Sequence, residues 1–222
     1  GFVQGMDAAE RSSTKWRKQV EKDVKAVGNA VGAAAAVAVT GLTAMTVATV
    51  KQAGEISRFA ALSGTTTEVF QEYAAGAKAV GVEQEKLADI FKDTQDKVGD
   101  FLQTGGGPLA DFFENIAPRV GVTAEQFRKL SGPEALGLYV SSLEKAGASQ
   151  NEMTFYMEAL ASDATLLLPL LKNNAEGFRE FGDAASTAGA ILDEQTIRAA
   201  NELSAVILLT EQGIAGAKNQ IM

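Results

Sequence analysis

Apolar side chains recur with a helical period through the first fifty residues of this chain. No proline occurs between Asp7 and Val50, and small apolar residues return at spacings of three and four. Such spacing places them on one stripe of a helix, as in a heptad seam. The pattern predicts one long helix over residues 1–54 that packs in a coiled-coil bundle along an oligomer seam of Val20, Val24, Val27, Val31, Ala34, Ala38 and Met45.

After residue 54 the apolar pattern breaks into short amphipathic segments separated by glycine. Four junctions share one plan, in which a glycine is followed two residues later by a polar or acidic residue: Gly64, Gly81, Gly121 and Gly147. A left-handed glycine ends one helix, and the later side chain caps the next. Thr123 with Gln126, and Ser149 with Glu152, have the spacing of a capping box. No run of alternating β-branched residues indicates a sheet, so the predicted fold class is all-α.

Glycine and proline also suggest how the chain is divided. Three glycines before Pro108 form the strongest break and predict a flexible hinge at Gly105, Gly106 and Gly107. Pro169 is expected to bend or restart a helix, and Asp193 is placed to cap a final one. The predicted segments are a long helix at 1–54, a helical hairpin region at 55–104, a second helical array at 105–190 and a C-terminal helix at 191–222. We expect the last to continue into a longer polypeptide.

The stretch from Ala26 to Val50 carries no charged residue. As a helix, its 25 residues would extend about 37 Å, enough to cross a bilayer core of about 30 Å. A basic, aromatic flank precedes it at Lys15, Trp16, Arg17 and Lys18, as at a membrane interface. The stretch consists mainly of Ala, Val, Gly and Thr, which gain little on transfer to lipid. Two interpretations therefore stay open, a water-soluble coiled coil and a segment that inserts when triggered.

Composition narrows the function classes. The chain has no histidine and no cysteine, which removes imidazole bases, thiolate nucleophiles and zinc sites of Cys/His type. A net charge of −8 disfavours a duplex-binding domain, which needs a basic face. With no catalytic, cofactor or metal motif, we expect a protein that is not an enzyme and binds no cofactor.

Two sets of carboxylates were considered for chemistry. Asp89, Asp93, Asp96 and Asp100 fall on one helical stripe, but no loop with cation-ligand spacing surrounds them. A solvated helix face explains this stripe. Glu158 and Asp163 raise the idea of a carboxylate pair for glycoside cleavage. Nothing in the local sequence distinguishes an acid from a nucleophile, and amphipathic helices explain both residues.

Three stretches resemble the tail tape measure proteins of long-tailed bacteriophages and their prophage relatives. One is the helical hairpin from Ile56 through Gly64, Phe70–Ala75 and Gly81 to Leu87. Another runs from Asp163 through Leu171, Ala175–Phe178 and Ala184–Ala185 to Ala188–Glu194. The third is the Ala/Val-rich helix that precedes them.

The resemblance implies a structural role. Proteins of this family are long, largely helical and extended in the tail tube, where they set tail length and are ejected ahead of the genome. It implies a homotrimer in the virion, partnered by tail tube and tail-tip or baseplate proteins, and contact with the host inner membrane at ejection. DNA is expected to pass without specific binding. The alternative function is a membrane-active, pore-forming helical protein that inserts residues 26–50.

Overall fold

The computed structural model of this protein describes residues 47–219, and within that range it is all-helical with no strand. The all-α prediction is therefore confirmed for this part of the chain. The predicted coiled-coil seam (Val20 to Met45) and the basic flank (Lys15 to Lys18) lie outside the described residues. The α-helices of this range are α1 (Val47–Leu62), α2 (Thr67–Ala79), α3 (Gln84–Thr104), α4 (Ala124–Phe127), α5 (Gly132–Lys145), α6 (Gln150–Leu160), α7 (Leu168–Thr187) and α8 (Glu194–Asn219).

The left-handed glycines predicted at the four junctions are confirmed, but the cap predicted after Gly81 is wrong, because Glu83 makes no side-chain hydrogen bond to the first turn of α3. The four glycines that were expected to end helices have φ between 65° and 80°, a region that a Cβ disfavours. At three of them the expected cap is present: Val69 N–H donates to the Thr66 hydroxyl, and the N–H groups of Thr123 and Ser149 donate to the Gln126 and Glu152 side chains. These helix ends are fixed locally because each capping group is within three residues of its partner.

Residues 55–194 form one compact unit. Its core is a continuous cluster of buried apolar side chains from every helix between α1 and α7, with Phe70, Phe91, Phe112, Leu136 and Met157 at or below 2% exposure. The predicted segments 55–104 and 105–190 therefore share one core. Gly105 ends α3 in a left-handed conformation, and Gly107 also has positive φ. Whether this loop acts as a hinge stays a prediction.

Close approaches in this unit depend on glycine. Gly132, at the start of α5, donates its N–H to the carbonyl of Ser63 at 2.9 Å. A Cβ at this position would lie 2.7 Å from both the Cβ and the carbonyl oxygen of Phe91. Contacts under 3.0 Å require something to move, so the absence of a side chain at Gly132 lets α5 begin directly against α3.

A second unit includes residues 47–54 and 195–219 within the described range. Its buried apolar residues are Val50, Ala53, Ile197 and Ala200. The final helix begins at Glu194, directly after the predicted cap Asp193.

Local geometry departs from regular α-helix in two places. A π-helical turn, Phe112–Ile116, and a 3₁₀ turn, Ala117–Val120, follow the glycine loop. A further 3₁₀ turn, Ala164–Leu167, leads into α7, which restarts with Pro169 in its first turn, as its sequence predicts. Within α7 the backbone turns sharply at residues 172–175.

Candidate functional site

Helices α2 and α7 form the most extensive helix–helix contact in the compact unit and line one side of a recess in its surface. The Phe178 ring of α7 lies 4.8 Å from the Tyr73 ring of α2, centroid to centroid. A Cβ on Gly76 would come within 2.8 Å of the Phe178 ring, and one on Gly182 within 3.0 Å of Glu72. Glycine inside each helix thus allows the partner side chain to lie against the backbone.

Hydrogen bonds extend this interface beyond the end of α7. The Gln71 amide, buried in α2, donates to the Leu192 carbonyl and accepts from the Leu192 N–H, both at 2.8 Å. The N–H of Glu194 donates to the Glu68 carboxylate at 3.1 Å. The paired amide bonds satisfy both ends of a buried polar side chain, which makes the position of residues 192–194 on α2 specific.

A recess of about 520 Å³ opens beside this interface. It lies between the α1–α2 turn, α2, the start of α5 and α7. Its charged groups are three carboxylates and one guanidinium, from Glu72, Glu134, Asp183 and Arg179. Its remaining lining residues are Gly64, Thr65, Thr66, Val69, Tyr73, Ser131, Pro133, Phe178 and Gly182.

The surroundings of the recess shift the pKa values of two groups that line it, Tyr73 and Glu134. Burial raises the pKa of the Tyr73 phenol, the charges of Glu134 and Glu72 raise it further, and Arg179 opposes them. The pKa of Glu134 is lowered because the Ser131 hydroxyl and N–H both donate to its carboxylate, at 2.7 and 2.8 Å. Tyr73 is therefore a neutral phenol and Glu134 a carboxylate near neutral pH, a combination suited to hydrogen bonding and charge contacts.

A second polar cluster lies at the other side of the core. The Tyr156 hydroxyl donates to Asp111 at 2.5 Å, and the Tyr139 hydroxyl donates to the Tyr156 carbonyl at 2.9 Å. Burial raises the pKa of Tyr139, and burial together with the Asp111 carboxylate raises the pKa of Tyr156 to about 12. This cluster ties α5 and α6 to the π-helical turn.

The carboxylates considered from the sequence form ion pairs or lie exposed on the surface. Asp163 forms an ion pair with Lys86, while Glu158 is exposed on α6. In the Asp89–Asp100 stripe, Asp96 pairs with Lys92, and Asp89 and Asp100 are exposed. Among the residues that the structure describes, no group of three or more His, Cys, Asp or Glu side chains is arranged to hold a metal ion.

The apolar C-terminal cluster divides between core and surface. Leu167, Leu168, Leu170, Leu171 and Phe178 are buried. Leu166 and Phe181, from the same predicted cluster, are 49% and 42% exposed. Most of the cluster therefore serves the core, and two members remain on the surface.

The sequence also led us to consider a transmembrane helix. Over residues 47–219, no helix is both long enough and apolar enough to cross a bilayer, so the structure does not support this feature there. The uncharged stretch 26–50 lies almost wholly outside that range.

Sequence reasoning missed the recess and its polar groups, Tyr73, Glu134 and Arg179. One signal was available. Gly76 and Gly182 stand inside helical patterns, where glycine is unfavourable relative to alanine and often marks a close approach. The Ser131–Glu134 capping box was also readable from its spacing. No family model matches this chain, and neither a curated protein nor a solved structure is significantly similar to it.

Proposed function

We propose that this chain is a segment of a bacteriophage tail tape measure protein. It sets tail length during assembly and leaves the tail ahead of the DNA at infection. One observation carries the proposal: the two stretches whose sequence resembles that family, 56–87 and 163–194, are the ones that meet in the α2–α7 interface. Their contact through Phe178, Gly76 and Gln71 makes the two resemblances parts of one structural unit.

The length of tail that residues 55–194 would span depends on whether the unit is folded or drawn out. A compact unit of 140 residues (55–194) has a radius of gyration of about 14 Å and is about 37 Å across. Drawn out as continuous helix, the same residues would extend about 210 Å. Residues 55–194 would therefore account for their full length of about 210 Å in the tail only when the α2–α7 interface opens. The unit is built of short helices joined at single glycines, which suits opening one element at a time.

Tail length is the direct test. Deleting residues 55–194 from the full-length parent is expected to shorten tails by about 210 Å if the unit is drawn out in the tube. Shortening by no more than about 37 Å would indicate that the unit stays folded in the tail. Tails of unchanged length would contradict the ruler function. Phe178→Ala is the control, because it weakens the interface without changing the number of residues and should leave tail length unaltered.

The remaining features of the proposal follow from the same resemblance. The chain is a homotrimer located in the virion, in the tail tube lumen or tip. Its partners are tail tube and tail-tip or baseplate proteins, and the host envelope at ejection. A net charge of −8 supports passage of DNA without specific binding, since like charges repel. We propose a structural role and no catalytic one.

A second candidate is a membrane-active, pore-forming protein that inserts residues 26–50. The uncharged run behind the flank of Lys15, Trp16, Arg17 and Lys18 favours it. Flotation of the chain with lipid vesicles tests it, with Val37→Lys as the matched control, since a charge at the centre of the run opposes insertion. Flotation of the native chain and loss of flotation in Val37→Lys are expected. Equal behaviour of the two chains would remove this candidate.

A further inference from the structure

The bend inside α7 has an unusual backbone. Right-handed helix on either side is interrupted by Lys172, with an extended ψ of 158°, and then by three residues in the left-handed region. These are Asn173, Asn174 and Ala175, with φ values of 54°, 61° and 58°. None is glycine. L-residues visit this region as single residues, and each is disfavoured there by about 5- to 30-fold, asparagine less than alanine.

Two hydrogen bonds hold this bend, one from α5 and one from within α7. The Asn173 N–H donates to the Glu144 carboxylate of α5 at 3.2 Å, and the Arg179 guanidinium donates to the Asn174 carbonyl at 2.9 Å. The chain then folds back so closely that a Cβ on Gly177 would lie 2.9 Å from the Leu170 Cα. In a continuous helix, residues seven positions apart would be separated by about 10.5 Å.

The two sides of the bend are anchored in different places. Leu170 and Leu171 are buried in the core before it, and Phe178 is buried against Tyr73 of α2 after it. Straightening the helix would move Leu170 and Gly177 apart by several ångströms. A straight α7 therefore cannot keep both sets of buried contacts. The packing of Phe178 on α2 opposes the straightening that would return residues 173–175 to the right-handed region.

We propose that residues 172–175 are a two-state joint. While Phe178 packs on α2, the joint is bent and the unit is compact. When that contact is released, α7 becomes one continuous helix from Leu168 to Thr187. Straightening returns three residues to the right-handed region and adds the missing helical hydrogen bonds. This inference does not depend on the proposed function, because it concerns only contacts within residues 55–194.

Spin-label distances test the joint directly in the full chain. The chain has no cysteine, so Leu166→Cys and Glu180→Cys label two exposed sites on either side of the bend. A straight α7 puts the Cα atoms of residues 168 and 180 about 18 Å apart, with Leu166 in the turn just before it, and the bent form brings the two labelled sites closer. We expect the labelled chain to show the short distance alone. Adding Asn173→Ala with Asn174→Ala, or adding Phe178→Ala, should produce a second population near the longer distance. Absence of that population in both variants would overturn the proposal.

Hydrogen exchange supplies a test in a variant that should fold well. Ala175→Gly removes the cost of a positive φ at this position in the bent form. It also lowers the helix propensity of the straight form, so both effects should favour the bent form. We expect the Leu192 amide, which donates to Gln71 while α7 lies on α2, to exchange at least about tenfold more slowly than in the parent chain. Ala184→Gly, a helical position of the same element, is the control and should not slow exchange. If Ala175→Gly leaves exchange unchanged, the joint does not open as proposed.

Discussion

Replacing Phe178 by alanine tests whether the α2–α7 contact holds the compact unit together. Phe178 is 3% exposed, lies 4.8 Å from the Tyr73 ring and rests on the backbone of Gly76. Phe181, three residues later on the same helix, is 42% exposed. The pair provides the same substitution in the same element, with burial as the main difference.

The expected magnitude follows from burial and packing. Removing a fully buried phenylalanine forfeits about 1.5–3 kcal/mol of transfer free energy. The lost ring pair with Tyr73 adds about 0.5–1.5 kcal/mol, and the cavity beside Gly76 adds a further cost. We therefore expect Phe178→Ala to lower the free energy of unfolding by about 3–5 kcal/mol. Phe181→Ala should lower it by less than about 1 kcal/mol, because Phe181 is already 42% exposed in the folded chain.

Urea denaturation followed by far-ultraviolet circular dichroism measures both values. Midpoints can be compared directly where the dependence of the free energy on urea keeps the same slope, and a lower slope in Phe178→Ala would itself indicate a less compact native unit. Equal losses for the two variants would refute the reasoning, because the difference in burial would then have no energetic consequence. A loss below about 1 kcal/mol for Phe178→Ala would show that α7 is not anchored on α2.

Further predictions concern glycine packing and tyrosine ionisation. Gly132→Ala should destabilise the unit by about 1–3 kcal/mol through overpacking, whereas Gly137→Ala, in the same helix with nothing within 4 Å of the new Cβ, should stabilise it by about 0.5–1 kcal/mol. Thermal unfolding distinguishes the two signs, and a similar loss in both would contradict the packing argument. The pKa of Tyr156 is raised from 10.0 to about 12 by burial and by Asp111. Stability present below pH 10 should therefore fall as the pH rises towards 12, and Tyr156→Phe should reduce that fall. A fall of the same size in Tyr156→Phe would assign it to another group.

The helix ends were predictable because their causes are local. Gly64, Gly121 and Gly147 each end a helix with a left-handed residue, and the capping side chain follows two positions later. Every atom involved lies within a few residues of the junction, so spacing alone carries the information. The restart of α7 at Pro169 belongs to the same group, since proline suits a first turn wherever it occurs.

The recess and the joint were not predictable because their causes are distant in sequence. Nothing around Tyr73 indicates that Arg179 and Glu134 will face the same cavity. Asn173 and Asn174 tolerate the left-handed region better than most residues, but nothing near them in sequence requires it. Their left-handed geometry depends on Glu144 and on the anchoring of Phe178. Such strain persists only where the surrounding structure over-determines it.

The sequence by itself determined that this protein is helical, where most of its short helices begin and end, and which chemistries it lacks. Periodicity, glycine and capping residues act over one or two turns, and that range suffices for these features. Only the tertiary structure decided that both sides of the Gly105–Gly107 loop share one core. It also decided that α2 and α7 enclose a recess, and that α7 is bent. Those outcomes depend on which apolar faces cover one another, and burial is a property of the whole unit rather than of any segment.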